Sequence, residues 1–241
     1  MKALILASGM GKRLYPLTKD VPKSLIKIQG KEILGHQMNN LIECGIKDFI
    51  ITTGPFEDKI KGYVKKTYPD INVLYVNNPE YKSTNYIYSM WLTKKLIDDN
   101  IILLHGDLLF DKKLLEMMIN KKENCVLVNK KIKLPEKDFK AVIENERVKK
   151  IGTEFFGKNA FACFPLYKFS KKDFLLWLNE CEKYIKKRKV SIYAEDVFNE
   201  LSNRIPLYPL YFSEGMCMEI DTKEDIEKAE RAMENEKWTK K

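Results

Sequence analysis

A chain of 241 residues, 44% hydrophobic and 32% charged, is long enough to bury a core, and its composition excludes a disordered or fibrous polymer. No apolar run reaches the roughly 18–20 residues that span a bilayer, and the N-terminus passes straight into an apolar stretch without a cleavable-signal layout, so a cytoplasmic protein free of membrane is expected. The 43 Lys and Arg against 34 Asp and Glu leave a net charge of +9, yet the lysines are spread over most of the chain with no aromatic-basic repeat, which argues against nucleic acid and suits a small polyanionic substrate.

Cys44, Cys125, Cys163, Cys181 and Cys217 lie far apart and never as Cys-x-x-Cys, the usage of reduced thiols rather than of a zinc site or a disulfide framework. His36 and His105 are the only imidazoles, so the chemistry is to be sought among carboxylates, Lys and Arg.

In chain order, the first element is the most informative. Ala3–Ala7 reads as a strand that breaks into Ser8-Gly9-Met10-Gly11 and ends on Lys12 and Arg13, with Lys23 ten positions beyond. Glycines let the main chain approach a ligand, and consecutive N–H groups in such a turn form a concavity for anions. Arg13 can fork two phosphate oxygens, and Lys23 adds a mobile point charge. Alone, Gly-x-Gly also fits an ordinary turn: the third glycine of a dinucleotide fingerprint and the Gly-Lys-Ser/Thr of a P-loop are both missing.

Ser24–Ile28 reads as a short strand, Ile33–Cys44 as a helix stopped at Gly45, and Asp48–Thr53 as a β-branched strand. Phe56–Tyr68 is expected as a helix and Val73–Val76 as a strand, followed by a helix from about Asn85 to Leu96 capped by Ser83 or Thr84. The apolar strand that starts at Asn100 delivers Asp107 at its end; a helix over Asp111–Met118 and a strand over Cys125–Asn129 come next. Lys140–Glu144, Arg147–Ile151 and Ala160–Leu166 look like shorter strands, some antiparallel, with a turn at Asn145-Glu146. The helices Lys171–Tyr184 and Asp196–Leu201, the strand Pro206–Phe212 and a short strand or turn at Met218–Asp221 precede a last helix ending near Asn235, with Glu224 as a capping-box carboxylate for Asp221. The expected fold is α/β: a Rossmann-like, doubly wound, mixed but mainly parallel sheet with a small antiparallel subregion, in one domain over 1–235 with a frayed tail at 236–241. Ligands sit beyond the C-terminal strand ends in such sheets, so Arg13, Thr53, Asn78 and Asp107 should face one crevice.

The string Gly9-x-Gly11-x-Arg13-Leu14-x-Pro16-Leu17-Thr18, followed by Pro22-Lys23, strongly resembles the opening of the nucleotidyltransferases that activate sugar 1-phosphates or phosphocholine, except that Lys12 stands where most members carry a small hydroxyl residue. The resemblance runs from Met1 to about Met233 and implies an in-line attack of a substrate phosphate on the α-phosphorus of a nucleoside triphosphate, with pyrophosphate leaving. Arg13, Lys23 and Asp107 are the implied catalytic residues. Leu6, Ala7, Gly9, Met10, Gly11, Lys12 and Arg13, with Thr53, Asn78, Ser83 and Thr84, are the implied nucleotide-binding set. In that family, acids at the end of the fourth main strand and in a late strand-to-helix turn bind Mg²⁺; Asp107 and Asp221 match those two places, and Glu219, two residues before Asp221, would point to the same face in a strand and joins them as a metal candidate. Read without the family, Asp107 also fits a strand-end turn and Asp221 a helix N-cap.

Asn77–Trp91 resembles most the phosphocholine and aminoalkylphosphonate cytidylyltransferases, which makes CTP the favoured triphosphate and a small phosphate or phosphonate (phosphocholine, phosphoethanolamine or 2-aminoethylphosphonate type) the acceptor. Asn85, Tyr86, Lys140 and Glu195 are the implied acceptor contacts. Tyr86, Tyr88 and Trp91 read either as an aromatic cage for an ammonium group or as core; Lys140 reads equally as a strand-edge lysine and Glu195 as a helix-start acid. A sugar-1-phosphate enzyme using UTP, dTTP or GTP, a catalytically silent nucleotide-sensing subunit and a polyanion-binding protein are the alternatives, and a homodimer is left open.

Overall fold

The computed structural model describes residues 1–235; the expectation of a frayed tail at 236–241 lies outside the described residues. β1 (Lys2–Leu6) is followed by a 3-10 turn at Lys12–Leu14, a second at Lys23–Leu25, the short hairpin β2 (Lys27–Ile28) and β3 (Lys31–Glu32), and α1 (Ile33–Glu43). β4 (Asp48–Thr53), α2 (Glu57–Thr67), β5 (Asn72–Asn77) and α3 (Tyr86–Leu92) continue the alternation to β6 (Ile101–His105). Then come β7 (Leu108–Phe110), α4 (Lys112–Asn120), β8 (Cys125–Asn129), β9 (Lys140–Glu144), β10 (Arg147–Gly152) and β11 (Ala160–Phe169). The chain closes with α5 (Lys171–Lys186), α6 (Ala194–Leu201), β12 (Tyr208–Phe212), β13 (Cys217–Glu219) and α7 (Lys223–Asn235).

The main sheet runs β10-β9-β11-β6-β1-β4-β5, with β8 on β11 and β12 on β8. Its centre is parallel, β6 and β4 both pairing with β1 and β5 with β4. β11 runs antiparallel to β6, β8 and β9, and β9 and β10 form a hairpin whose turn residues Asn145 and Glu146 both take positive φ. The strand period of two splits the apolar residues between the faces. Leu4, Leu6, Ile101 and Leu103 pack with α3, α5 and α6, whereas Ala3, Ile5, Ile102 and Leu104 pack with α1, α2 and α4. Helices on both faces make the sheet doubly wound. Trp177 anchors the first layer, ringed by Phe169, Phe174 and Phe198 and donating its indole N–H to the Ala194 carbonyl at 2.9 Å. A third cluster joins Ile28 and Ile33 to Leu109, Ile220 and Ala229, which ties α7 to the β7–β13 pair.

Four local expectations change. Ser83 and Thr84 do not cap α3: both hydroxyls donate to the Glu80 carbonyl, so Asn85 is the cap, its Oδ1 accepting from the Tyr86 amide at 2.7 Å. The helix also stops at Leu92, with Lys94–Leu96 continuing only as a 3-10 turn. At α7 the capping box sits one residue later than expected. Thr222 accepts from the Asp225 amide at 3.2 Å while Asp225 accepts from the Thr222 amide at 2.9 Å. Finally, the strand expected over Ser24–Ile28 is a 3-10 turn followed by two strand residues, because Leu25 and Ile26 bond back to Pro22 and Lys23.

Candidate active site

The crossovers from β1 to β4 and from β4 to β5 build outward in one direction, and the next returns to β6 on the other side of β1. The strand order therefore reverses between β1 and β6, and a cleft opens beyond their carboxyl ends, lined by Leu6 and Ala7 from one and His105, Gly106 and Asp107 from the other.

The loop after β1 folds back on itself. Gly11 takes φ +62°, and its carbonyl accepts from Thr18 Oγ1 at 2.7 Å and from the Leu14 amide at 2.9 Å. A Cβ at Gly11 would lie 3.0 Å from Lys23 Cβ, so glycine serves both the left-handed turn and the close passage of Lys23. Leu14 is buried as the loop's anchor, which leaves the neighbouring Arg13 on the cleft side, two-thirds exposed.

Two carboxylates face these cations. Asp107 lies in the turn between β6 and β7, braced from α1: Gln37 Nε2 donates to the carbonyls of His105 at 2.8 Å and Leu108 at 2.7 Å. Asp221 follows β13, which pairs with β7 so that the Ile220 amide donates to the Asp107 carbonyl at 3.0 Å. Lys23 Nζ lies 2.6 Å from Asp107 Oδ2 and also contacts Asp221 Oδ1, which receives Arg13 Nη2 at 2.8 Å. Burial alone would lower the Lys23 pKa, but the charges of Asp107 and Asp221 outweigh it and carry the ammonium above its usual range. Asp107 shifts the other way: burial would raise it, and the Lys23 and His105 charges hold it below the usual carboxylate range.

The other end of the cleft is aromatic and acidic. Tyr81, Tyr86 and His105 line it, with the Tyr86 and His105 rings 4.6 Å apart edge to face. Behind them Glu195, 1% exposed, accepts from the phenols of Tyr86 and of Tyr167 (2.8 Å). Burial, and then the Glu195 charge, push the Tyr86 phenol well above its ordinary pKa. Glu219 faces His105 at 3.8 Å, a charge contact rather than a hydrogen bond. Asn78 shapes the wall: its Nδ2 donates to Thr84 Oγ1 at 3.0 Å and Ser89 Oγ at 2.9 Å, and its Oδ1 accepts from the Glu80 amide at 2.8 Å.

Of the residues singled out in the sequence, the cleft brings together Leu6, Ala7, Gly9, Gly11, Lys12 and Arg13 from the first loop. Lys23, Asn78, Thr84, Asn85, Tyr86, Asp107 and Asp221 join them. Met10 and Ser83 do not line it, Ser83 pointing its hydroxyl at the Glu80 carbonyl. Thr53, expected in the crevice, is fully buried and donates to Glu57 Oε2 at 2.7 Å. Lys140 also stays outside the cleft, because its buried ammonium donates to the carbonyls of Thr153 at 2.5 Å and Glu136 at 3.1 Å. Glu195 reaches the cleft only through Tyr86, and Tyr88 and Trp91, 5.5 Å apart, pack against each other outside it. Sequence reasoning missed Ser8, Ser24, Tyr81, His105 and Gly106 as lining residues. Four of the five adjoin a residue it had singled out: Ser8 and Ser24 flank Gly9 and Lys23, and His105-Gly106 leads into Asp107.

The donor set fits a hard divalent cation. Asp107 and Asp221 converge on one positive centre, the Lys23 ammonium, and Asp107 Oδ1 is buried without a hydrogen-bond partner. Ligand atoms of His105, Asp107 and Glu219 also lie within 4.8 Å of one another, so Glu219 groups with the imidazole rather than with Asp221. Among the described residues five buried side-chain polar atoms lack a partner, and three of them, on Ser24, His105 and Asp107, belong to residues of this cleft. Such orphans mark places where a ligand completes the bonding.

A glycine-containing loop with two cations, opening at the switch point of a parallel sheet, has the arrangement that suits the phosphates of a nucleotide. The sequence profile of the nucleotidyl transferase family matches residues 2–146, and the chain belongs to that family. The bifunctional IPC transferase and DIPP synthase of Aquifex aeolicus is 29% identical over 235 residues, 95% of this chain and 51% of its own length. The choline-phosphate cytidylyltransferase of Streptococcus pneumoniae is 36% identical over 110 residues, 46% of each chain. The solved structure of the inositol-1-phosphate CTP transferase from T. maritima shares the fold, with a TM-score of 0.79 at 24% identity over 97% of this chain and 96% of its own. The chain spans about half the length of the curated relatives it matches. Among the described residues no helix is long and apolar enough to cross a membrane.

Proposed function

We propose that residues 1–235 act as one nucleotidyltransferase domain that transfers CMP from CTP to a small phosphorylated alcohol or a phosphonate. The observation that carries the reading is the meeting of the Gly9–Arg13 loop and Lys23 with Asp107 and Asp221 in one cleft whose Ser24 and Asp107 side chains hold unpartnered polar atoms. Main-chain amides of the loop would cradle the triphosphate, while Arg13 and Lys23 neutralise charge as an acceptor oxygen forms its bond to the α-phosphorus and the bond to the bridging β-phosphate oxygen breaks. The acceptor phosphate is already an anion at neutral pH, so it needs no general base. Asp107 and Asp221 are the residues that would hold Mg²⁺, which when bound would screen the phosphates and polarise the α-phosphorus.

Similarity to a choline-phosphate cytidylyltransferase supports CTP and a small acceptor. Tyr81 and Tyr86, with Glu195 and Glu219 close by, support an acceptor that carries an amine or quaternary ammonium group. A neutral cyclitol or sugar phosphate is the second reading, favoured by the nearly full-length match of this chain to an IPC transferase.

Pyrophosphate release tests both. With Mg²⁺ and CTP, the panel is phosphocholine, phosphoethanolamine, 2-aminoethylphosphonate, inositol 1-phosphate and glucose 1-phosphate, repeated with UTP, dTTP and GTP. Turnover with CTP and an amine-bearing acceptor is expected. Turnover confined to inositol or sugar phosphates would overturn the acceptor class, and silence with every pair would overturn the enzyme reading.

A further inference from the structure

We propose that Lys23 is an internal counter-cation that keeps the Asp107–Asp221 pair closed to a divalent ion until a triphosphate takes the ammonium over; the inference rests on the reading of the cleft given above. One ammonium joins two carboxylates delivered by distant parts of the chain, 2.6 Å from Asp107 Oδ2 and in contact with Asp221 Oδ1. Arg13 adds a second donor to the same Asp221 oxygen at 2.8 Å. Two acids and two bases thus cancel within one small volume.

A hard divalent ion sits roughly 2.0–2.2 Å from a carboxylate oxygen. An ammonium hydrogen-bonded to that same oxygen would lie almost in contact with the ion, positive against positive in a cleft that water screens poorly. Ion and ammonium therefore exclude each other from these oxygens, and with Lys23 in place the ion is denied Asp107 Oδ2 and Asp221 Oδ1. The lysine is built to leave in one direction. Its backbone is held by the 3-10 turn Lys23–Leu25, its Cβ passes within 3.0 Å of where a Cβ on Gly11 would stand, and the rotatable four-carbon stem of a lysine lets the ammonium change partners while the backbone stays. Phosphate oxygens seated on the Gly9–Lys12 loop would offer the ammonium new acceptors on that side. Because coupling between two binding events is reciprocal, triphosphate and ion would each tighten the other's binding through Lys23. A lysine that served only as a fixed strut between the two acids would give no such coupling.

Mn²⁺ is the probe, followed by the electron paramagnetic resonance signal of the free ion, without nucleotide. Wild-type protein should bind it weakly and Lys23→Met at least about tenfold more tightly, since the like-charged competitor is gone. Equal or weaker binding by a folded Lys23→Met would overturn the proposal. Removing the ammonium leaves two facing carboxylates and could prevent folding, so a second measurement uses the wild type. Acetic anhydride labelling of Lys23, read by mass spectrometry, should be slow in metal-free protein and should rise several-fold with millimolar Mn²⁺ while other lysines label at constant rates. Labelling of Lys23 that stays the same or falls would overturn the proposal as well. Both readouts follow ion binding rather than turnover, so a protein inactive with every substrate pair would sink the proposed function and leave this test standing.

Discussion

Replacing Asn78 by Ala separates shaping the cleft from reading the nucleotide. Asn78 lines the cleft, yet it is 1% exposed and its bonding capacity is directed inward: both amide hydrogens go to Thr84 and Ser89, and its oxygen receives the Glu80 amide. Ser89 is itself buried and bonded to Ser8 Oγ at 2.7 Å, so the network ties the loop after β1 to the start of α3. Three internal hydrogen bonds at about 1 kcal/mol each predict a loss of roughly 3 kcal/mol in stability for Asn78→Ala. Urea unfolding followed by circular dichroism measures it, with an unchanged m-value showing that only the folded state has altered. Nucleotide KM should rise as a consequence of the loosened wall. The reasoning fails if the variant keeps wild-type stability while nucleotide affinity collapses, because Asn78 would then be contacting the ligand directly.

The remaining predictions probe other parts of the molecule. Side-chain bonds from Lys61, Thr53 and Asn77 hold the Glu57 carboxyl below its usual range. Its stabilising effect is then full above the unfolded pKa of about 4.3 and is lost as pH falls through the folded value, so Glu57→Gln should flatten the acid limb of a urea-midpoint against pH profile between about pH 5 and 3. Lys140→Met should lower stability by about 1–3 kcal/mol, since it removes two charge-assisted bonds to carbonyls, and should leave acceptor KM unchanged; a large rise in that KM would show the ammonium reaching the ligand. A Cβ on Gly54 would stand 2.3 Å from the Ser8 carbonyl oxygen, so Gly54→Ala should push the loop after β4 away from the loop after β1, costing about 1–3 kcal/mol and raising nucleotide KM. Glu195→Gln keeps a partner for both phenols while removing the charge; steady-state kinetics should show KM rising for amine-bearing acceptors and unchanged for neutral ones, and equal effects on both would count against an electrostatic role.

The sheet is legible in the sequence where strands are buried on both faces. Asp48–Thr53 and Cys125–Asn129 are apolar runs bounded by turn residues, and they fold over those same residues. The glycine loop is legible because main-chain approach and positive φ leave few residue choices. What joins the two acids is not. β7 and β13 are three residues each, too short for a period to emerge, and only their pairing sets Asp221 beside Asp107. The direction of polar side chains is equally hidden: Thr53, Lys140 and Asn78 stand at strand ends or turns where either face is open to them, and burial turns the first two away from the cleft. α3 illustrates a local contest. Ser83 and Thr84 are better caps by type than by place, because the turn at Glu80 engages both hydroxyls first.

The two ends of the cleft have opposite electrical characters. Lys23 and Arg13 each meet an acid, so the end of the cleft at the first loop is balanced within the protein itself. At the aromatic end Glu195 has two phenol donors and, among the described residues, no Lys or Arg beside it. A buried carboxylate without a counter-cation is costly, and hydrogen bonds from neutral phenols offset only part of that cost. The field that remains falls on Tyr86 and His105, where burial would lower the imidazole pKa and the nearby carboxylates, Glu219 foremost, raise it. A positively charged group held against Tyr86 would supply the charge the protein leaves out, so under the proposed function the stability given up by burying Glu195 would return as affinity for a cationic acceptor. A neutral polyol returns nothing of it. Under the function proposed above, the same asymmetry would orient a cationic acceptor with its phosphate toward Arg13 and Lys23 and its cation toward Tyr86.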